Sequence, residues 1–255
     1  MLRLLIRDQK VLIVSGAICF AALIVLMVIA LFDSYEILGI NRWIKPMKFF
    51  MSVGTYLWTI AVYLYFVPGR ELAKKVIAWG ASLLMLGENV LIVMQALRRT
   101  TSHFNHATSF DDAVFSAMGL MIVVNTILIV YLSVIYFKAD IQLPRSILWG
   151  MRLGMILFLC AAVEGGYMST LTGHSVGVAD GGPGLPLVNW SMDGGDLRAA
   201  HFIGMHALQA VPIFAYAMEK LKLGAATALT IVFGGLYFVV FVLLFVQALA
   251  GRPLI

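Results

Sequence analysis

The sequence predicts an all-α integral membrane protein, a bundle of seven transmembrane helices with structured outer loops, forming a single domain over residues 1–255. Three observations predict it. Of 255 residues, 62% are hydrophobic and 12% charged, where soluble domains run near half apolar and a quarter charged. Mean hydropathy is +0.96. The apolar residues fall into seven runs separated by short charged or Gly/Pro breaks, each near the ~20 residues that carry a helix across a bilayer.

The first run, 11–32, follows the basic segment MLRLLIRDQK. It is longer than a secretory apolar core and lacks a small-x-small cleavage site, so it reads as a retained helix rather than a cleaved signal. The second, 47–67, stops at Pro68-Gly69-Arg70, and the third covers 76–97. The fourth, 113–137, ends at Lys138-Ala139-Asp140, and the fifth covers 150–171. The sixth, 199–218, ends at Glu219-Lys220-Leu221-Lys222, and the seventh covers 225–249. No internal repeat is visible, which argues against an inverted-repeat transporter. Cys19 and Cys160 both lie inside apolar runs, which argues against a disulfide framework.

Orientation follows from the Lys/Arg bias. Eleven of the 18 basic residues fall on one side of this topology and seven on the other. That places the N-terminus in the cytoplasm and, with an odd helix number, the C-terminus outside. The net charge of +5 then reflects basic inner loops and contact with anionic lipid, not nucleic acid. The outer loops are long: Asp33–Pro46, Arg98–Asp112 and the Gly/Pro-rich Thr172–Arg198. Loops of that length act as lids, binding loops or docking surfaces, or shield helix ends. All five histidines lie on this side, namely His103, His106, His174, His201 and His206.

Ionisable groups inside a span are costly and mark functional sites by default. Glu88 and Glu164 lie roughly 18 Å into the third and fifth spans. Asn125 sits at similar depth in the fourth, and His206 and Gln209 lie below the outer end of the sixth. Helical spacing puts Glu88, Gln95 and Arg99 on one stripe, and Asp111, Met118 and Asn125 on another. Cys160 with Glu164, and His206 with Gln209, extend the pattern to two more helices. The simplest packing turns the four stripes toward a shared outward-facing cavity. Glu88, Glu164 and His206 are its candidate catalytic or proton-holding groups. Lys48, Gln95, Arg99, Asn125, His201, Gln209 and Arg198 are its candidate ligand-binding groups, with Lys48 and Arg99 able to pair the glutamates. The plainer reading is helix–helix glue by interhelical polar bonds.

His103 and His106 have H-x-x-H spacing, which faces both rings one way if the loop turns helically. With His174 and Asp180 they make a candidate divalent-metal set, although no tight ligand motif is present. Haem is disfavoured, because only His206 is firmly inside a span. A retinal Schiff base is excluded by the absence of lysine from 225–249. Outer arginines and lysines suit an anionic lipid headgroup or small anionic ligand, or pair with the neighbouring outer acids.

The segments TSHFNHATSFDDAVFSAMG (101–119) and GHSVGVADGGPGLPLVNWSMDGGDLRAAHFIGMHALQ (173–209) resemble a family of uncharacterised bacterial multi-pass inner-membrane proteins. The resemblance implies a bacterial inner-membrane location and carries no activity. Seven-helix metal-dependent hydrolases of the ceramidase and adiponectin-receptor type place H-x-x-x-H on the last helix, and 225–249 contains no histidine. Three functions remain open at the level of sequence. One is an enzyme or small-ligand or lipid-binding protein with an outward-facing site. The others are a subunit of a membrane complex with a protein partner in the bilayer, and a proton-coupled transporter or channel.

Overall fold

The computed structural model describes residues 2–171, 173–222 and 224–255; Thr172, the first residue of the third outer loop, lies outside the described residues with Met1 and Leu223. The protein is 72% helical. Its helices are α1 (Leu2–Asp8), α2 (Lys10–Ala30), α3 (Ile44–Phe66), α4 (Glu71–Leu97), α5 (Ser109–Lys138), α6 (Arg145–Ser169), α7 (Leu197–Lys220) and α8 (Ala226–Leu249). Six of these, α2 to α6 and α8, are long and apolar enough to cross a membrane. α2 and α8 expose side chains such as Ile24, Val25, Leu236 and Leu243, a surface suited to lipid rather than water.

Several helices begin earlier than the apolar runs that predict them. α4 starts at Glu71, α5 at Ser109 and α6 at Arg145. Hydrophobic counting stops at the first charge, but Lys, Arg and Glu are good helix formers, so α4 and α6 continue past it and begin without a side-chain cap, whereas α5 begins at one. Thr108 is the cap of α5: its hydroxyl accepts from Asp111 N at 3.1 Å, and its carbonyl accepts from Asp112 N at 3.0 Å. The basic N-terminal segment forms α1, which the apolar pattern did not show.

Two short antiparallel strand pairs lie in segments that connect helices. β1 (Glu36–Ile37) pairs antiparallel with β2 (Ile40–Asn41), and β3 (Ser175–Val176) with β4 (Gly195–Asp196). The first turns through Leu38 and Gly39 at φ 51° and 74°, the two positive values that a tight two-residue hairpin requires.

The chain forms two compact units, residues 1–128 and 129–255. The division falls inside α5, a single continuous helix with no break in its apolar run. In the first unit α2, α3 and α4 pack on one another. Gly16 provides the close approach between α2 and α3, because a Cβ there would lie 2.4 Å from the Trp58 ring. Trp58 Nε1 donates to Ile13 O at 3.0 Å across the same contact.

In the second unit α7 packs against both α6 and α8. Its antiparallel register with α6 can be followed along the helices: Ser146 bonds Glu219, Gly150 faces Ala215, Ala161 faces Gly204, and Gly165 faces His201. Small residues on both helices permit the close approach. From Ser146 to Gly165 this contact runs about 28 Å at 1.5 Å per residue. α7 is not among the helices that qualify as spans by composition; it carries His201, His206, Gln209, Glu219 and Lys220.

Candidate functional site

The residues expected to share one cavity divide between the two units. Glu88, Gln95 and Asn125 belong to the first, and Glu164, His201, His206 and Gln209 to the second.

In the first unit Glu88 is 2% exposed at mid-length in α4. Its Oε2 atom is buried without a hydrogen-bond partner. Lys45, one turn before Lys48, is near enough to act on its charge. Asn89 Oδ1 and Ser82 Oγ are buried and unsatisfied on the same helix. Asn125 is an interhelical bridge, accepting from Tyr56 Oη at 2.9 Å. Asp111, Met118 and Asn125 are all buried, as their spacing predicts. The α4 stripe does not continue to Arg99. α4 ends at Leu97, and Arg99 turns away at φ 63°, stacking on the Tyr35 ring at 4.8 Å. Arg98 takes its place: it bonds both Gln95 and Asp111, while Gln95 Nε2 donates to Asp111 at 2.9 Å. Gln95 therefore belongs to a closed side-chain network at the C-terminal end of α4.

His103 and His106 lie in a non-helical segment, so the helical turn that would aim both rings one way is missing. Both pack against Phe115, at centroid distances of 6.0 and 5.5 Å. His103 Nδ1 lies 3.0 Å from Ser102 Oγ, and His106 Nδ1 lies 2.5 Å from Asp112.

In the second unit Glu164 projects from α6 and His201 from the first turns of α7, with Nδ1 to Oε2 at 2.8 Å. The Glu164 side chain is 3% exposed and the imidazole 33%. The other carboxyl oxygen, Oε1, is buried and unpartnered. Gly165 makes this geometry available, since a Cβ there would lie 2.6 Å from His201 Cε1. One turn inward, His206 packs on Phe202 at 4.3 Å and hydrogen-bonds Gln209. Phe202 in turn meets Trp190 of the long loop at 5.7 Å.

That loop is folded around two aspartates. Asp180 accepts from the His174 ring at 2.8 Å, from His174 N at 3.0 Å and from Ser175 N at 2.9 Å. Asp196 accepts from Ser191 N at 2.7 Å and from Arg198 at N, Nε and Nη2. Arg198 is thus committed to Asp196 and to Asn189 O, and His174 to Asp180. His103 and His106 belong to one unit, His174 and Asp180 to the other. Among the described residues no three His, Cys, Asp or Glu side chains gather as metal ligands.

Burial opposes the charge of Asp180, but the His174 ring, the His174 N–H and the Ser175 N–H more than offset it, holding the carboxyl below its usual range. The folded state therefore binds this proton less readily than the unfolded chain. The resulting stability is present above the ordinary carboxylate value of about 4 and is lost as pH falls through the lowered folded value. Limited proteolysis of residues 173–196 is expected to accelerate on acidification, and Asp180→Asn is expected to accelerate it already at neutral pH. Equal cleavage rates in wild type and variant at neutral pH would remove Asp180 as the organising residue.

No family model matches the chain, and neither a curated protein nor a solved structure matches it.

The Glu164–His201 pair joins residues 37 apart in sequence, and spacing within one helix could not have found it. The available signal was the run of small residues, Gly150, Gly154, Ala161 and Gly165 on α6 with Ala200, Gly204, Ala207 and Ala215 on α7. Aligning those antiparallel brings Glu164 level with His201.

Proposed function

We propose that this is a seven-span protein of the bacterial inner membrane, N-terminus in the cytoplasm and C-terminus outside, whose outward-facing Glu164–His201 dyad accepts a proton from a small ligand. The seventh span is α7. Its register with α6 over about 28 Å supports this, because the hydrocarbon core is about 30 Å thick and α6 is apolar enough to cross it. A helix that packs against two others can carry His, Gln and Glu that a lipid-facing helix could not.

The observation carrying the functional reading is the 2.8 Å contact between His201 Nδ1 and a carboxylate that is itself almost fully buried. With Glu164 ionised, Nδ1 carries the hydrogen of that bond. Nε2 is then left as an acceptor on a ring one-third exposed, the arrangement by which a carboxylate orients a general base. Glu164 Oε1 supplies a second acceptor that a ligand hydroxyl, ammonium or water would satisfy.

Infrared difference spectroscopy of the purified protein across a pH titration tests the reading. A carboxyl or imidazole signal that titrates in wild type is expected to vanish in Glu164→Gln and to shift in His201→Gln, with Glu88→Gln unchanged in that signal. If Glu164→Gln leaves every titrating band in place, the dyad is not a proton site.

A second reading, a subunit of a membrane complex that uses the outer loops as a docking surface, is favoured by one observation. Asp33, Asp180 and Asp196 each fix an outer segment through several hydrogen bonds, so these loops present a preformed surface.

A further inference from the structure

Residues 183–192 of the third outer loop form a hydrogen-bonded hairpin with an apolar tip. Met192 N donates to Pro183 O at 3.0 Å, and Leu185 N to Trp190 O at 2.8 Å. Gly184 and Ser191 bridge antiparallel between them. At the tip, Val188 N donates to Pro186 O and Asn189 N to Leu185 O, both at 2.8 Å. The neck is closely packed, since a Cβ at Gly184 would lie 2.3 Å from Asn189 Oδ1 and 3.1 Å from its carbonyl carbon.

The tip is built at a conformational cost. Leu187 and Asn189 both have left-handed backbones, at φ 67° and 55°. Asn tolerates that region and a γ-branched leucine rarely enters it. The hydrogen bonds hold Leu187 there with its side chain outward, 84% exposed. Strain that displays a large apolar side chain is unexplained by folding alone.

Two facts identify what meets it. The segment GGPGLPLVNWSM, 181–192, contains no charged residue, so it offers a protein or nucleic-acid partner no ionic complementarity. The base of the hairpin also lies beside the first turns of α7: Arg198 donates to Asn189 O, and Trp190 packs on Phe202. In the second unit this level is where α6 and α7 end their shared register, at Glu164 and His201. A segment at the end of a membrane span lies at headgroup depth, where Trp is favoured.

We propose that the 183–192 hairpin inserts its Leu187 tip into the headgroup layer of the outer leaflet, anchoring the cap to phospholipid. The proposal rests on α7 crossing the bilayer. It makes the hairpin an interfacial anchor: an uncharged apolar contact that partitions shallowly, held by a Trp at its base.

The test uses full-length protein with Cys19 and Cys160 replaced by Ala, reconstituted in phosphatidylcholine vesicles. An environment-sensitive fluorophore is attached at Leu187→Cys or, separately, at Ile213→Cys, an exposed position in the inner half of α7. Nitroxide-bearing lipids quench from the headgroup or from deep in the acyl chain, and iodide quenches from water. The expected result is loss of most Leu187→Cys emission with headgroup nitroxide and little with the deep one, while Ile213→Cys is quenched by lipid nitroxide at acyl-chain depth. Leu187→Cys quenched by iodide alone, with Ile213→Cys still quenched by lipid, overturns the anchor and leaves the span standing. No lipid quenching at either position overturns the span. Protection of Leu187→Cys from both quenchers in vesicles, or lipid quenching in vesicles replaced by protection in native membranes, overturns the lipid assignment in favour of a protein contact.

Discussion

Gly195→Ala is expected to unseat the 173–196 loop from the end of α8 and to destabilise the second unit by about 2–3 kcal/mol, the scale of overpacking against a partner that cannot move aside. A Cβ at this position would lie 1.9 Å from the carbonyl oxygen of Ala248 and 2.7 Å from its carbonyl carbon. That oxygen already accepts from Gly251 N at 2.9 Å. Gly251, at φ 69°, makes the left-handed turn that closes α8. The clash is therefore with a helix C-cap, and relieving it means separating β4 from α8 or opening the cap itself. Thermal unfolding in detergent should show the loss, and proteolysis within residues 173–196 should rise with it. Gly166→Ala is the control. That position lies inside α6 with nothing within 4 Å of the new methyl, so it should be neutral or slightly stabilising through helix propensity. If both variants melt with wild type, the loop does not seat on α8.

The helices were legible in the sequence because a bilayer imposes a blunt requirement: about 20 apolar residues per crossing. That rule located α2 to α6 and α8; the run at 199–218 is also helical, as α7, but its polar residues keep it from qualifying as a span by composition. It missed α1, because Leu2–Asp8 is too short and too charged to register. It also missed the two strand pairs, whose strands have two residues each and therefore no alternation to detect. The division after residue 128 has no sequence mark, because it falls within one continuous helix.

The site was legible residue by residue but not in its pairings. Glu88 and Glu164 stood out by depth, and both are buried with an unsatisfied oxygen. Periodicity within a helix predicted the Asp111, Met118 and Asn125 face. It failed at Arg99, where the helix had already ended, and at His103 and His106, where no helix forms. Partners on different helices depend on interhelical register, which small residues encode only weakly. The outer aspartates were missed as organisers for a related reason. Asp33, Asp180 and Asp196 act by accepting backbone and side-chain N–H groups of their own loops, and no residue-type pattern announces that.

His201→Leu is expected to be costly alone and nearly silent when combined with Glu164→Leu. Removing the imidazole leaves a carboxyl that is 3% exposed without a hydrogen-bond partner on either oxygen, since Oε1 has none already. Leaving a buried carboxylate without its partner costs about 3–5 kcal/mol. The one-third exposure of His201 admits water and lowers the expectation to roughly 2–3 kcal/mol. Leucine at both positions removes the stranded charge together with its partner, and an apolar pair of similar volume is often neutral or stabilising. The coupling energy from the four proteins of this cycle, measured by unfolding in detergent, is expected to be about 2 kcal/mol. Strict additivity would mean the 2.8 Å contact contributes nothing, and the proton-site reading would lose its geometric basis. If the double leucine variant is as stable as wild type, folding does not require the pair. A buried carboxylate and imidazole at that position, with Gly165 opened to seat the ring, are then free of a folding role, which is the condition that the proposed proton site requires.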